Sequence, residues 1–339
     1  MAFRLRTGIS AAFEREQILK EQYDVVVVGG GPAGLTAALY TARYGLNVLL
    51  VTKSLGGLVS EAPLVDDYPG VPEVTGNDLV DRFVKHVKKY GVPIIIDEVV
   101  NIYKKAPDSP LWCIELKNTP HKPCSYAVII AIGSEKRELQ VPGERELKGK
   151  GVSYCAVCDG PLFKGKTVAV VGGGNSALTA ALFLSNYASK VYLIHRRDSF
   201  RAFQVYVEAA KSNPRIEILT NTIVKEILGS DHVEAIRVEN VKTREERVIP
   251  VSGVFIEIGL RPNTEFFRKI GIEVDEEGRA KVNVDMSTNL PGIYVAGDAA
   301  GGPFKYKFEQ IITAAAEGAI AADAASKYVM ALKRGQARL

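Results

Sequence analysis

The chain has 339 residues, of which 47% are apolar and 24% are charged, and its net charge is +4. This balance excludes a disordered chain, and the length indicates about two globular domains. It also argues against a nucleic-acid-binding protein, because no long block of like charge occurs. The apolar runs are far shorter than the roughly 20 residues of a membrane-spanning helix, and the charged N-terminal segment is unlike a signal peptide. We therefore expect a cytoplasmic protein.

The first predicted elements form a strand, a glycine turn and a helix. Residues 1–22 are expected to be a helical extension, and an apolar strand at 25–28 then leads into the turn. In Gly29-x-Gly31-x-x-Gly34, the first glycine makes the turn and the second lets a pyrophosphate approach the backbone. The third allows close packing, and the helix N-terminus attracts phosphate. This order predicts a dinucleotide site; the alternative is a tight turn without a ligand.

The same unit occurs twice along the chain. Residues 25–53 align with residues 168–196 without a gap, and 14 of the 29 positions are identical. The second turn reads Gly172-x-Gly174-x-x-Ala177, an accepted variant of the fingerprint. Because strand, helix and duplication agree, we predict an α/β fold with two Rossmann-like dinucleotide-binding domains, each a three-layer βαβ unit with a β-meander.

The segments after each unit complete the predicted domains. Short alternating segments are expected to form antiparallel meanders, at 92–100, 111–117 and from 124 in the first copy, and at 216–220, 223–228, 233–239 and 247–251 in the second. Strands at 128–133 and 254–259 close the two copies. The rest offers a strand at 292–296 and a helix at 308–333, which are expected to dock onto the first domain. The second domain is then an insertion: residues 1–134 and 262–339 form one domain, and residues 135–261 form the other.

The residues that follow each second strand predict different nucleotides. In the second copy these are His195, Arg196 and Arg197, with Arg201 one helical turn further. Arginine pairs with phosphate oxygens, so this cluster indicates the 2′-phosphate of NADPH rather than NAD. The first copy has Thr52-Lys53 instead and must hold an adenosine ribose in another way. FAD is the natural resident there, with Asp298 after Gly297 placed to bind its ribityl chain.

Four cysteines are too few for a disulfide-stapled fold, but two form a C-x-x-C motif. Cys155 and Cys158 can close a reversible disulfide, and Asp159 beside them can move a proton. The alternative is zinc, for which the chain offers no second C-x-x-C or histidine pair at ligand spacing. Cys113 and Cys124 flank a predicted hairpin turn at 118–121, as buried apolar residues or as a cross-strand disulfide.

Taken together, these motifs resemble those of the low-molecular-weight, NADPH-dependent thioredoxin reductases. The resemblance extends from Tyr23 to about Val329 and rests on the two glycine turns, the cysteine motif and the basic cluster. It also includes Gly56-Gly57, Tyr68-Pro69-Gly70, Pro262-Asn263-Thr264 and Gly297-Asp298.

The resemblance implies electron transfer from NADPH to FAD, to the Cys155–Cys158 disulfide and then to a thioredoxin-like protein. It implies that Cys158 faces the flavin, Cys155 attacks the protein substrate and Asp159 serves as acid and base. A homodimer and a rotation of the NADPH domain are also implied. The FAD contacts expected are Gly29, Gly31, Pro32, Ala33, Gly34, Thr52, Lys53, Gly57, Leu58, Asp67, Gly133, Gly297, Asp298, Gln310 and Ile311. The NADPH contacts expected are Gly172, Gly174, Asn175, Ser176, Ala177, His195, Arg196, Arg197 and Arg201.

Four residues depart from the family pattern around the expected flavin site, namely Leu58, Asp67, Ile132 and Glu309. Three other functions stay open from the sequence. The partner can be a glutaredoxin-like protein or a peroxiredoxin; the scaffold can be a ferredoxin–NADP reductase or an oxidase; or the chain can be a metal-binding dinucleotide sensor. No bound metal is expected if the chain is a thioredoxin-disulfide reductase.

Overall fold

The computed structural model describes residues 20–62, 64–302 and 307–335. Residues 1–19, which make up most of the predicted N-terminal extension, lie outside this part of the chain. The strands are β1 Gln22–Gly30, β2 Val48–Leu55, β3 Ile94–Ile96, β4 Val99–Lys104, β5 Trp112–Leu116, β6 Cys124–Ile130, β7 Ser134–Lys136, β8 Val152–Ser153, β9 Thr167–Gly172, β10 Lys190–Ile194, β11 Ile216–Leu219, β12 Thr222–Leu228, β13 Ala235–Asn240, β14 Glu246–Pro250, β15 Gly253–Glu257, β16 Leu260–Pro262 and β17 Ile293–Val295. The α-helices are α1 Pro32–Arg43, α2 Gly76–Lys89, α3 Ala156–Asp159, α4 Asn175–Leu184, α5 Gln204–Ser212, α6 Thr264–Lys269 and α7 Ile311–Lys333, and 3₁₀ turns occupy Gly57–Glu61, Gly160–Phe163 and Gly297–Ala299.

The first sheet has a parallel core with strand order β3-β2-β1-β6-β17. Strands β4 and β5 continue from β6 as an antiparallel meander. Successive side chains of a strand point to opposite faces of the sheet, and both faces of β1 are buried. Val25 and Val27 pack with α1, α2 and α7, whereas Val26 and Val28 pack with the meander and α6. A strand buried on both faces explains the unbroken valine run.

The second sheet repeats this plan with strand order β11-β10-β9-β15-β8, all parallel. Val168 and Val170 of β9 pack against α4, whereas Ala169 and Val171 face the antiparallel sheet β12-β13-β14. The same alternation of strand faces therefore builds three layers in both copies. The predicted α/β class with two Rossmann-like domains is confirmed in this arrangement.

A two-stranded ribbon connects the two sheets. Strands β7 and β16 pair antiparallel, with Ser134 opposite Pro262, at the two predicted crossing points of the chain. The chain returns through β17, which pairs with β6, and through α7, which packs along α1. A Cβ atom at Gly318 would lie 2.1 Å from the Ala33 carbonyl oxygen, so only glycine permits this approach. The second unit is thus inserted into the first; the boundaries at 134–135 and 261–262 stay predictions.

Several expected elements differ in the structure. Segment 92–100 is not one meander strand, because β3 pairs parallel with β2 and only β4 is antiparallel. Segment 216–220 likewise adds a parallel strand, β11, to the second sheet. Alternation alone does not distinguish a sheet edge from a meander. The last helix starts at Ile311 rather than 308, since Gln310 and Thr313 form a capping box there.

Among the described residues, no helix is long and apolar enough to cross a membrane.

Candidate dinucleotide and redox sites

A cavity of about 760 Å³ opens at the carboxyl ends of β1, β2 and β6. Ligands of open α/β sheets bind at this edge, where the strand order reverses. Thirteen of the fifteen residues predicted to contact FAD line it, namely Gly29, Gly31, Pro32, Ala33, Thr52, Lys53, Gly57, Leu58, Gly133, Gly297, Asp298, Gln310 and Ile311. Gly34 and Asp67 are not in its walls, and Asp67 is exposed to solvent.

The glycine turn gives this cavity a cradle for phosphate. Helix α1 starts with Pro32 at its first turn, and no side chain caps its N-terminus. A Cβ atom at Gly31 would meet only the Gly56 carbonyl, 4.0 Å away, so the backbone is open to the cavity. A Cβ atom at Gly34 would lie 1.9 Å from the Gly29 oxygen, so Gly34 serves packing instead. Free N–H groups at a helix N-terminus suit the pyrophosphate of a dinucleotide.

Asp298 supplies a carboxylate to the wall of the same cavity. Burial raises its pKa to about 6, and Glu309 adds to the effect. The preceding Gly297 donates its backbone N–H to Glu317 of α7 at 2.9 Å, and Glu317 also pairs with Lys307 at 2.5 Å. This buried ion pair holds the Gly297–Ala299 turn against α7. Asp298 is therefore fixed as a polar group facing the cavity, which fits a polyhydroxy chain of a flavin.

The departures from the family pattern mostly lie at this cavity. Leu58, Ile132 and Glu309 line it. The Glu309 carboxylate forms an ion pair with Arg279 at 2.7 Å, so a neighbouring positive charge balances it. Four further acidic residues, Glu61, Asp97, Glu98 and Glu135, also line the cavity and were missed by sequence reasoning. Asp97 and Glu98 follow β3, and the rule that ligands bind beyond strand ends could have identified these two had β3 been recognised as a parallel strand.

The second glycine turn lies at the carboxyl end of β9. Gly174 is the open position, because a Cβ atom added there would have no other atom within 4 Å, whereas Gly173 packs on the ring of His195. His195 is buried, stacks on Phe200 at 5.1 Å and bonds the Ser199 oxygen at 3.0 Å. Burial lowers the pKa of its imidazole, as do the neighbouring arginines. His195 thus shapes the turn from inside and is not an exposed cation.

The basic loop after β10 is fixed to that turn. Arg201 donates its backbone N–H to the Gly173 oxygen at 2.8 Å, and Phe203 donates to the Asn175 side chain at 2.8 Å. Arg196, Arg197 and Arg201 are exposed. In the described part of the chain, none of the three forms an ion pair with a carboxylate. The structure therefore places three free guanidinium groups beside the turn, which suits a 2′-phosphate.

The C-x-x-C cysteines are joined in a disulfide with a sulfur–sulfur distance of 2.08 Å. Cys155 is half-buried and caps the short helix α3, and its sulfur accepts the backbone N–H of Cys158 at 3.2 Å. Cys158 is exposed, and Asp159 directly follows it. Within the described residues, no group of three or more His, Cys, Asp or Glu side chains could hold a metal ion. The pair has the form of an accessible redox disulfide.

A second disulfide joins Cys113 and Cys124. The two residues lie directly opposite each other on β5 and β6, so the bond closes the base of a hairpin. Cys113 is buried and Cys124 is partly exposed. Of the two interpretations left open by the sequence, the cross-strand disulfide is the one that the structure shows.

The two glycine turns approach each other, but the redox cysteines are elsewhere. Ser176, in the first turn of α4, lines the first cavity, whereas Cys155, Cys158 and Asp159 do not. Lys136 of the ribbon ties the units together, because its ammonium pairs with Glu61 at 2.5 Å and donates to the Tyr154 carbonyl. Glu257, at the end of β15, faces the same groups, and burial raises its pKa to about 7. The second unit therefore presents its nucleotide turn, not its disulfide, to the first.

Comparisons with known proteins agree with this arrangement. The family model described as pyridine nucleotide-disulphide oxidoreductase matches residues 23–318. A thioredoxin reductase from Listeria innocua is 40% identical over 92% of this chain and 95% of its own length. The Bacillus subtilis thioredoxin reductase is 39% identical over 92% of this chain and 96% of its own length.

Solved structures give the same result for the fold. The thioredoxin reductase of Lactococcus lactis, in its FR conformation, superposes with a TM-score of 0.83 at 36% identity, covering 91% of this chain and 99% of that one. The thioredoxin reductase of T. acidophilum has a TM-score of 0.81 at 37% identity, covering 92% of this chain and 100% of that one. The chain therefore belongs to the pyridine nucleotide-disulphide oxidoreductase family and, within it, to the group of thioredoxin reductases.

Proposed function

We propose that the chain is a thioredoxin-disulfide reductase that binds FAD in the first cavity and NADPH at the second glycine turn. The observation that carries this proposal is the Cys155–Cys158 disulfide, accessible at the exposed Cys158, on the unit that also holds the free arginine cluster. A nucleotide site with a disulfide on the same unit, opposite a second dinucleotide cavity, supports reduction of a disulfide by a nicotinamide nucleotide.

Different residues of the chain bind FAD and NADPH. FAD bound in the first cavity would supply a two-electron carrier between NADPH and the disulfide. The open backbone at Gly31 and the start of α1 hold its pyrophosphate, and Asp298 binds its ribityl hydroxyls. Arg196, Arg197 and Arg201 hold the 2′-phosphate of NADPH, and Gly174 lets its pyrophosphate approach α4.

The cysteine pair carries the exchange with the protein substrate. When the pair is reduced, the Cys158 N–H that now donates to Cys155 Sγ stabilises negative charge on that sulfur. The Cys155 thiolate attacks one sulfur of the substrate disulfide, and the other substrate sulfur leaves as a thiolate that takes up a proton. Cys158 then attacks Cys155, which restores the pair and releases the second substrate thiol. We assign to Asp159, the next residue in the chain, the acceptance of the Cys158 proton and its return to the leaving thiolate.

The second unit has to rotate between two positions. In the present arrangement Ser176 lines the first cavity and the disulfide does not, so reduction of the disulfide requires the unit to turn. The two strands of the β7–β16 ribbon are the connection about which it can turn. The ion pair between Lys136 and Glu61 and the bond to the Tyr154 carbonyl must then open.

An anaerobic NADPH titration of the FAD-loaded protein tests the proposal. The expected uptake is one electron pair for the flavin and one for Cys155–Cys158. The Cys155→Ser/Cys158→Ser variant should take up one pair fewer than the unaltered chain. Equal uptake by both proteins would remove the cysteines from the electron path and favour the ferredoxin or oxidase alternative.

The substrate is tested with purified partners. We propose a thioredoxin-like protein as the partner, and a homodimer as the assembled form. Turnover with a thioredoxin that exceeds turnover with a glutaredoxin-like protein and with a peroxiredoxin supports the assignment, and the reverse order overturns it. Light scattering at micromolar concentration reads the mass, and a monomer mass would contradict the dimer.

A further inference from the structure

The adenosine end of the first cavity is built in an unusual way. The end of the second strand of a dinucleotide fold usually places a carboxylate on the ribose. Here Thr52 and Lys53 occupy that position near the carboxyl end of β2, and the Thr52 hydroxyl already donates to the Ser54 carbonyl oxygen at 2.6 Å. The carboxylate at this end of the cavity comes from Glu98 instead, which pairs with Lys53 at 2.7 Å.

Glu98 is held in place from the other side by the β5–β6 hairpin. Lys117, at the start of its turn, pairs through its ammonium with the Glu98 carboxylate at 3.0 Å and donates its backbone N–H to the Glu98 backbone carbonyl oxygen at 2.9 Å. The pairs with Lys53 and Lys117 lower the pKa of the Glu98 carboxyl. The carboxylate is therefore ionised and oriented, and its oxygens can accept hydrogen bonds.

Asp97 binds the tip of the same hairpin. Its carboxylate, on a residue only 5% exposed, accepts bonds from the Thr119 hydroxyl at 2.7 Å and from the Asn118 side-chain amide at 2.9 Å. It also accepts the backbone N–H groups of Asn118 and Glu98. The hydrogen bond from Thr119 is the main cause of its lowered pKa. The segment that follows β3 is thus fixed by residues of the hairpin turn.

The base of the hairpin is closed covalently. The Cys113–Cys124 disulfide lies at its base, with the turn residues 117–119 at the other end. β5 and β6 share only two residue pairs in the sheet, Trp112 with Ser125 and Cys113 with Cys124. β5 also pairs with β4 over five positions, so the short β5–β6 ladder and its disulfide are what tie the β4–β5 ribbon and the turn to the central strand β6.

We propose that residues 113–124 form a redox-sensitive clasp on the adenosine end of the FAD cavity, in which the Cys113–Cys124 disulfide holds the turn so that Glu98 accepts the ribose hydroxyls. The clasp rests on the proposed FAD site. A small dithiol opens it by attacking the partly exposed Cys124 sulfur, which releases the Cys113 thiol. The second thiol of the reagent then releases Cys124, so that one electron pair and two protons pass to the chain and the reagent becomes a disulfide.

Flavin affinity of the apoprotein tests the clasp. The measurement uses the Cys155→Ser/Cys158→Ser variant, in which Cys113–Cys124 is the one remaining disulfide of the four-cysteine chain. After FAD is removed, fluorescence gives the dissociation constants for FAD and for FMN, which lacks the adenosine half. Treatment with dithiothreitol should weaken FAD binding about tenfold, the effect of losing one well-formed hydrogen bond to a charged group. FMN binding should not change.

Two variants in the same background separate the clasp from general loosening. Cys113→Ser/Cys124→Ser should bind FAD as weakly as the reduced protein and should not respond to dithiothreitol. Glu98→Gln should weaken the binding of FAD and leave the binding of FMN unchanged. Glu115→Gln is the matched control, because it removes a carboxylate of the same hairpin, one that pairs with Lys122 instead. It should leave the binding of both FAD and FMN unchanged.

The outcomes distinguish this inference from the proposed function. Equal FAD affinity before and after reduction of Cys113–Cys124 overturns the clasp, whatever the electron uptake of the unaltered chain. A matched loss of FAD and FMN binding also overturns it, because the hairpin would then support the whole domain. If the apoprotein binds no FAD in any state, the proposed function fails first. NADPH affinity, which concerns the second unit, should stay constant throughout and reports that the chain is folded.

Discussion

The two sheet units share a backbone plan and differ at the ends of their strands. In both, alternate residues of the central strand face a helix layer and a meander layer, and a glycine turn opens a helix. In the first unit, residues from several loops surround an open cavity. In the second, the loop after β10 is fixed on the glycine turn by His195, Arg201 and Phe203. The shared core sets the position of the turn, and the loops decide which nucleotide the turn suits.

The two disulfides differ in the same way. Cys155–Cys158 has one exposed residue, Cys158, and the sulfur of the other accepts a backbone N–H, which suits rapid exchange. Cys113–Cys124 joins paired strands, and one of its residues is buried. A disulfide in the second unit therefore has access to partners, whereas the one in the first unit stabilises local structure.

The largest effect expected is the loss of disulfide reduction in Cys158→Ser. Without the resolving thiol the pair cannot close, and NADPH-dependent turnover with a thioredoxin should fall by at least about a thousandfold. NADPH-dependent reduction of ferricyanide, a small acceptor that needs no thiol, is the control and should continue. Retained turnover with thioredoxin would contradict the assignment of substrate exchange to Cys155–Cys158.

The difference between the strand ends is tested by Arg196→Ala/Arg197→Ala. Each lost charge-assisted bond weakens phosphate binding about tenfold, so the dissociation constant of NADPH should rise about a hundredfold. NADH, which lacks the 2′-phosphate, should bind as before. Lys53→Ala changes the equivalent position of the first unit and should leave NADPH affinity unchanged. If the affinities for NADPH and NADH fall equally, the arginines do not bind the 2′-phosphate.

The third glycine position distinguishes the two turns by packing. Gly34→Ala places a Cβ atom 1.9 Å from the Gly29 oxygen, whereas the second unit already carries a buried Ala177 at this position. We expect Gly34→Ala to destabilise the chain by about 2–3 kcal/mol, as overpacking does. Ala177→Gly should cost about 1 kcal/mol, the effect of glycine within a helix. Urea unfolding measures both, and equal losses would mean that the turns pack alike.

The smallest effect expected is a pH dependence at the junction of the units. Burial raises the pKa of Glu257 from 4.5 to about 7, so the folded chain holds a proton that the unfolded chain releases. Stability should therefore fall as the pH rises from about 4.5 to about 7 and then level off. Asp298, with a pKa of about 6, contributes in the same direction over the lower part of this range.

Glu257→Gln is the variant that isolates this contribution. It should flatten the decline by on the order of 1 kcal/mol, allowing for the partial exposure of the carboxyl. Glu246→Gln, at an exposed position of β14, should leave the profile unchanged. Thermal unfolding across the pH range measures both, and an unaltered decline in Glu257→Gln would assign it to other groups.

The sequence by itself determined the repeated βαβ units, the insertion and the pairing of the C-x-x-C cysteines in a disulfide. These features depend on local patterns: valine runs buried on both faces, glycines that only a tight turn requires, and two thiols three residues apart. It also predicted the arginine cluster, since the end of a strand has a fixed place in this fold. His195, in the same motif, proved to be a buried packing residue.

Only the tertiary structure decided the features that depend on distant contacts. Asp97 and Glu98 are recognisable as cavity residues once β3 pairs parallel with β2 and the hairpin turn binds them. Cys113 and Cys124 become a disulfide because the strand register places them opposite each other. The position of Ser176 at the first cavity depends on how the second unit is oriented on its ribbon. Register and orientation arise from packing between segments far apart in sequence, which no local pattern contains.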